Sequence, residues 1–120
     1  KIFISLKDDK ITGYAITRKM KMKELISLAL VDILFLPGDK KTAKALLGAV
    51  HLQALKERVD LTSLIINPSS SILKYLIRFG FIKTSESFTV VVNEPRNKVF
   101  EFNEKNFCNW HITWFDHDFV

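Results

Sequence analysis

The sequence predicts an α/β (α+β) fold, a mixed and mostly antiparallel sheet flanked by helices, in the order β-β-β-α-β-α-β-β. Three observations predict it. Residues 2–18 hold two strand-like runs around the polar turn Lys7-Asp8-Asp9-Lys10, the pattern of a hairpin. Residues 42–59 carry Ala43, Leu46, Leu47, Val50, Ala54 and Leu55 at helical spacing. The succession strand, helix, strand, helix, strand then requires a crossover, and so at least one parallel pair.

Each element has its own signal. Ile2, Ile4 and Leu6 share one face of the first strand, and Ile11–Thr17 forms the second. The basic stretch Arg18–Lys23 reads as a loop. Leu25–Leu36 is apolar almost throughout, so period does not separate helix from strand. Its second half, Ala29–Leu36, stops at Pro37-Gly38 and reads as a buried strand. The helix 42–59 takes its N-cap oxygen from Asp39 or Thr42. Leu61–Ile66 is a strand ended by Asn67-Pro68, and Ser69–Phe79 is a shorter helix with serines at its start and Gly80 at its end. Strands follow at Phe88–Val92 and Trp110–Phe115, joined by a polar connection over 93–105.

Composition narrows the classes. A chain of 120 residues is the size of one domain, since domains run ~100–150 residues. Only 4 Gly and 3 Pro beside 48% hydrophobic residues exclude collagen-like and disordered classes. The single cysteine, Cys108, excludes an internal disulfide and points to a reducing, cytoplasmic compartment. The run Leu25–Leu36 is too short and, with Ser27 and Asp32, too polar to span a membrane. A chain that opens at Lys1 with Ile2 already in strand reads as a fragment. Net charge is +5, concentrated in Arg18, Lys19, Lys21 and Lys23 and in Lys40, Lys41 and Lys44. Such clusters suit an anion, and they also suit an ordinary solvated face.

With these elements in place, the chain resembles the GNAT acyltransferase superfamily. The hairpin leads into a strand ending at Leu36, and the loop Pro37-Gly38-Asp39-Lys40-Lys41-Thr42-Ala43 opens the long helix. The second helix closes with Phe79-Gly80-Phe81, like the family's Gly-Phe. The tail Trp110-His111-Ile112-Thr113-Trp114-Phe115-Asp116-His117-Asp118 looks like the Trp-x-x-Thr-x-x-Asp-x-Asp ending of some prokaryotic GNAT-like proteins. The family's first strand and two leading helices would lie before Lys1. Laid on the family's Gln/Arg-x-x-Gly-x-Gly/Ala loop, the window Gly38–Ala43 matches at Ala43, with Lys41 at the glycine and Gly38 at the Gln/Arg. The family's tyrosine position falls on Leu76, beside Tyr75.

The resemblance implies acyl transfer from acetyl-CoA or another acyl-CoA, as co-substrate, to an amine or similar nucleophile on a small-molecule acceptor, by direct attack in a ternary complex. It implies a cofactor site at Leu36, Gly38, Asp39, Lys40, Lys41, Thr42, Ala43 and Lys44, with Asn67 beside the pantetheine arm. Free amides and partial positive charge at a helix N-terminus hold phosphate, and the three lysines there make sense facing one. Exposed first-turn lysines with no ligand are the simpler alternative.

Asp32, the lone charge in an apolar strand, is the candidate base, or else a structural carboxylate bonded to a neighbouring backbone group. Tyr75 is the candidate acid for the leaving thiolate, or else a core-edge residue. Cys108, His111, Asp116, His117 and Asp118 do not fit a common zinc spacing, so no metal is expected. No nucleic-acid signature is readable, and no membrane partner is expected. The other reading is a non-catalytic GNAT-like module, half of a tandem pair or an interaction domain. A second GNAT-like domain or a homodimer is the protein partner it implies.

Overall fold

The structure, a computed structural model, describes residues 1–85. Over these the chain forms β1 (Ile2–Lys7), β2 (Lys10–Met22), β3 (Leu25–Phe35), α1 (Lys40–Glu57), β4 (Leu61–Ser63) and α2 (Leu73–Arg78). The expected strands at 88–92 and 110–115, the connection 93–105 and the Cys108–Asp118 cluster lie outside the described residues.

The sheet runs in chain order, β1-β2-β3-β4. The first two pairings are antiparallel, and β3–β4 is the parallel pair that the α1 crossover requires. Asp8 and Asp9 join β1 to β2 with φ of 50° and 57°. Two left-handed residues in a two-residue loop match the right-handed twist of the flanking strands, and Asp tolerates that region better than most side chains.

Arg18–Lys23 is strand up to Met22, not loop, with only Lys23 turning at a φ of 54°. Lys19 and Lys21 alternate with Met20 and Met22, which are half-buried, and this period of two outweighs the charge. The pairing of β2 with β3 therefore extends to Met22↔Leu25.

α1 begins at Lys40, two residues earlier than expected, because Asp39 rather than Thr42 is the N-cap. It ends at Arg58, whose φ of 50° makes a left-handed cap, with its N–H and that of Val59 bonded to the carbonyls of Leu55 and Ala54. Ala43, Leu46, Leu47, Val50 and Ala54 are buried as the stripe predicts. Leu55 is 63% exposed, since Gln53 takes the inward place at that end. Buried Gln53 accepts a hydrogen bond from the Thr17 hydroxyl at 2.8 Å and donates to Glu57 at 2.8 Å, and Glu57 also pairs with Lys1 at 2.7 Å. The far end of α1 is thus tied to β2 and to Lys1, just before β1.

One core fills the space between the sheet and the helices: Ala15, Leu28, Leu30, Ile33 and Phe35 against α1, closed by Tyr75 and Leu76 from α2 and by Ile72 at its N-cap. β4 is three residues, not six, and Leu64 and Ile66 pack on the core without joining the sheet. The second helix starts at Leu73, because residues 68–72 are turn.

Gly13 is required by crowding. A Cβ there would meet the Leu34 carbonyl oxygen at 2.7 Å, Thr42 Cγ2 at 2.8 Å and Phe35 Cβ at 2.9 Å, while one at Gly48 meets nothing within 4 Å. Gly13→Ala is expected to cost about 1–3 kcal/mol through overpacking. Gly48→Ala is expected to add roughly 0.5–1 kcal/mol by helix propensity. Urea unfolding of both variants checks the pair.

Candidate functional site

Strict alternation along β3 would place Asp32 on the same face as Leu28 and Leu30, inside the core. The register prevents this. Ile16 faces Asp32 while Thr17 faces Leu30, so Val31 is an extra residue, a β-bulge. The bulge returns Ile33 to the core opposite Ala15 and puts Asp32 opposite Ile16, on the sheet face away from α1. A lone carboxylate in an apolar strand is thereby kept half-exposed, which avoids the cost of burying its charge.

Asp32 Oδ2 accepts a hydrogen bond from the Tyr14 hydroxyl at 2.7 Å. That bond, then burial, then the Asp32 charge push the Tyr14 phenol up to about 12, so Tyr14 remains a donor at neutral pH. Tyr14 was not a candidate from sequence. It lies 18 residues from Asp32, and only the β2–β3 register brings them together.

Near the bulge the sheet also opens on its other side. β4 pairs with β3 over Ser27↔Leu61, Leu28↔Thr62 and Ala29↔Ser63, and then ends. β3 continues to Phe35, paired with β2 but, among the described residues, with no ladder on the β4 side. Where strands part in this way, the amides and carbonyls of the edge they leave, from Leu30 onward, need partners other than the neighbouring strand.

The loop leaving β3 lies at the end of that edge. Leu36 is exposed and Gly38 turns with a φ of 94°. Asp39 then caps α1: its Oδ1 accepts from the Thr42 N–H at 3.0 Å, its Oδ2 accepts from the Thr42 hydroxyl at 2.7 Å, and the Lys41 N–H also reaches the carboxylate. These bonds, the backbone one from Thr42 first, hold the Asp39 carboxyl below the usual carboxylate range. The Thr42 hydroxyl also lies 3.0 Å from that of Thr12 and 3.5 Å from that of Ser5, which fixes the loop to β1 and β2. Thr42 and Ala43 are buried and face the sheet. Lys40, Lys41 and Lys44 are exposed, with Lys41 and Lys44 on the outward side of α1, in line with Gly48 and Leu52.

The remaining candidates lie elsewhere. Asn67 makes a turn, its Oδ1 accepting from the Ser69 N–H at 2.9 Å. Tyr75 is buried, its ring edge-on to Phe35 with centroids 5.4 Å apart. Phe35 belongs to the core on the α1 side, so Tyr75 and Asp32 are on opposite faces of the sheet. Among the described residues, no three His, Cys, Asp or Glu stand close enough to hold a metal, and no helix is long and apolar enough to cross a membrane.

Among solved structures, TTHA1254 from Thermus thermophilus superposes with a TM-score of 0.65 at 20% identity, covering 79% of this chain and 72% of that one. The aminoglycoside N-acetyltransferase AAC(6')-Iy in complex with CoA gives 0.62 at 21% identity, covering 77% and 75%. The fold is GNAT-like. A second AAC(6')-Iy structure, in complex with the bisubstrate analog CoA-S-monomethyl-acetylneamine, gives 0.59 at 20% identity, covering 77% and 68%. No family model and no curated protein matches the chain. The shared GNAT-like architecture is a likeness of backbone.

The Asp39 cap generates a prediction. Asp39→Ala is expected to lower the melting temperature, and Asp39→Asn, which keeps a cap oxygen, to lower it less. The folded-state pKa of Asp39 is depressed, so its contribution is complete above the ordinary carboxylate range and is lost as pH falls through the depressed value. Thermal unfolding followed from neutral pH downward should show a shallower acid decline for Asp39→Asn than for the unaltered protein.

Proposed function

We propose that the chain is a single-domain GNAT-type N-acetyltransferase, moving an acetyl or other acyl group from acyl-CoA to an amine on a small-molecule acceptor. The observation that carries this reading is the parting of β3 from β4 after Ala29. A pantetheine arm has amide donors and acceptors, and an open strand edge offers it the complementary row. CoA in one AAC(6')-Iy complex and the CoA-S-monomethyl-acetylneamine analog in another support the donor and the small-molecule acceptor. The lone cysteine supports a cytoplasmic setting, and the tail's likeness to some prokaryotic proteins supports a prokaryotic one.

The chemistry asks little of the protein. The acceptor ammonium gives a proton to Asp32, directly or through water, and its freed lone pair attacks the thioester carbonyl. The carbon–sulfur bond breaks, the attacking nitrogen releases its second proton to solvent to leave the neutral amide, and the departing thiolate takes a proton up from solvent. Tyr75, packed on Phe35 across the sheet, serves the core in this reading. The diphosphate lies against Lys40, Lys41 and Lys44, with Leu36, Gly38 and Ala43 shaping the loop, Asp39 and Thr42 bracing it, and Asn67 flanking the arm.

One observation favours the second reading, a non-catalytic module acting as half of a tandem pair or as an interaction domain. Asp39 already takes the Thr42 amide that a phosphate would use, and it sets a negative charge there.

Titration with several acyl-CoAs, read by thermal shift, decides between them. Ligand at 100 times its Kd should stabilise the fold by about 2.7 kcal/mol. Lys41→Glu, which suits the helix dipole and so should fold, is expected to abolish the shift. No shift with any acyl-CoA leaves the non-catalytic reading.

A further inference from the structure

β1 is the outer strand of the sheet, and among the described residues β2 is its one neighbour. The backbones of Lys1 and Thr17 exchange both hydrogen bonds, at 2.6 Å and 2.8 Å. In an antiparallel ladder such pairs alternate with pairs that exchange none. Phe3 and Ser5 therefore bond to β2, and Ile2, Ile4 and Leu6 direct their N–H and C=O groups out from the edge. Natural edge strands are blunted by charge, proline or cover. Ile2–Leu6 holds neither charge nor proline. Ile2, Ile4 and Leu6 are 66%, 55% and 64% exposed, and they lie on the face away from α1, since Phe3 packs on the core and Ser5 reaches Thr42. Ile11, opposite Leu6, extends the aliphatic row onto β2.

We propose that this edge is an interface, and that its partner is β1 of a second copy, joined antiparallel about a two-fold axis perpendicular to the sheet. Such a join makes the two four-stranded sheets one. It is isologous, so a single surface serves both copies, and each edge offers the other the complementary row of donors and acceptors. Charge sets the register. Opposed residues share a face, so the axis lies level with a residue. Level with Ile4, it would set Lys1 opposite the partner's Lys7, a pairing of like charges. Level with Ser5, it sets Ile4 opposite the partner's Leu6 and carries Lys1 to the turn formed by the partner's Asp8 and the partner's Asp9. Glu57 takes one donor of the Lys1 ammonium at 2.7 Å, and an ammonium has three. The join depends on β1 alone and holds whether or not the chain transfers acyl groups.

Sedimentation of the full chain over a hundredfold range of concentration tests it. A contact of one strand is small, so the mass should rise with concentration from one chain toward two. Amide exchange at Ile2, Ile4 and Leu6 should slow at least tenfold over the same range. Ile4→Pro removes an N–H that faces the edge and takes nothing from the β2 ladder. Ile4→Lys places a charge on an exposed face at the centre of the join. Both should remain folded by circular dichroism and stay at the mass of one chain, and Ile4→Lys carries the test should the proline variant fail to fold. Leu52→Lys, equally exposed on α1, should dimerise as the unaltered chain does. A single-chain mass at every concentration would overturn the proposal. So would a dimer that survives Ile4→Lys, or one that Leu52→Lys alone dissociates, which would place the interface on α1.

Discussion

β3 must satisfy backbone groups on two edges, and the described structure pairs only one of them along its length. β2 runs beside it from Leu25 to Phe35, whereas β4 accompanies it only from Ser27 to Ala29. Within two residues of that departure the extra residue Val31 breaks the alternation and turns Asp32 out of the core. Among the described residues, the end of the β4 pairing and an outward carboxylate thus arise at nearly the same point of one strand. The parting of the strands, the loop to α1 and the Asp32 carboxylate all take their positions from it. Without the bulge, Asp32 would join Leu28 and Leu30 against α1, where a charge has no favourable place.

The N-terminus of α1 shows a competing demand. A helix of 18 residues needs its first amides satisfied, and Asp39 satisfies the Thr42 amide from within the chain. The same carboxylate stands beside Lys40, Lys41 and Lys44, at the helix end proposed for the diphosphate. Stability of the free protein and affinity for an anion therefore pull on one side chain.

Much of this was legible in the sequence because the signals are local. The Lys7–Lys10 turn, the α1 stripe and the stop at Pro37-Gly38 each depend on residues a few positions apart. What was missed depends on pairing. The lysines of Arg18–Lys23 suggested a loop, yet their alternation with Met20 and Met22 is a strand signal that charge obscured. The apolar run Leu61–Ile66 does not reveal that Leu64 and Ile66 leave the sheet, since burial on a core and burial in a sheet select the same residues. Asp32 stood out as a lone charge, but its face depends on a one-residue slip against β2, and its partner Tyr14 on the resulting register. Leu55 matched the helical stripe and lies outside the core because Gln53, held by Thr17 and Glu57, fills the inward place.

The open edge of β3 can be tested by amide hydrogen exchange over residues 30–35, measured with and without acetyl-CoA. The amides facing β2 should be protected in both states. Those on the β4 side should exchange quickly in the free protein and slow at least tenfold when acetyl-CoA is bound. Protection of both sets in the free protein, or a bound state that leaves the β4-side amides unchanged, would contradict the account.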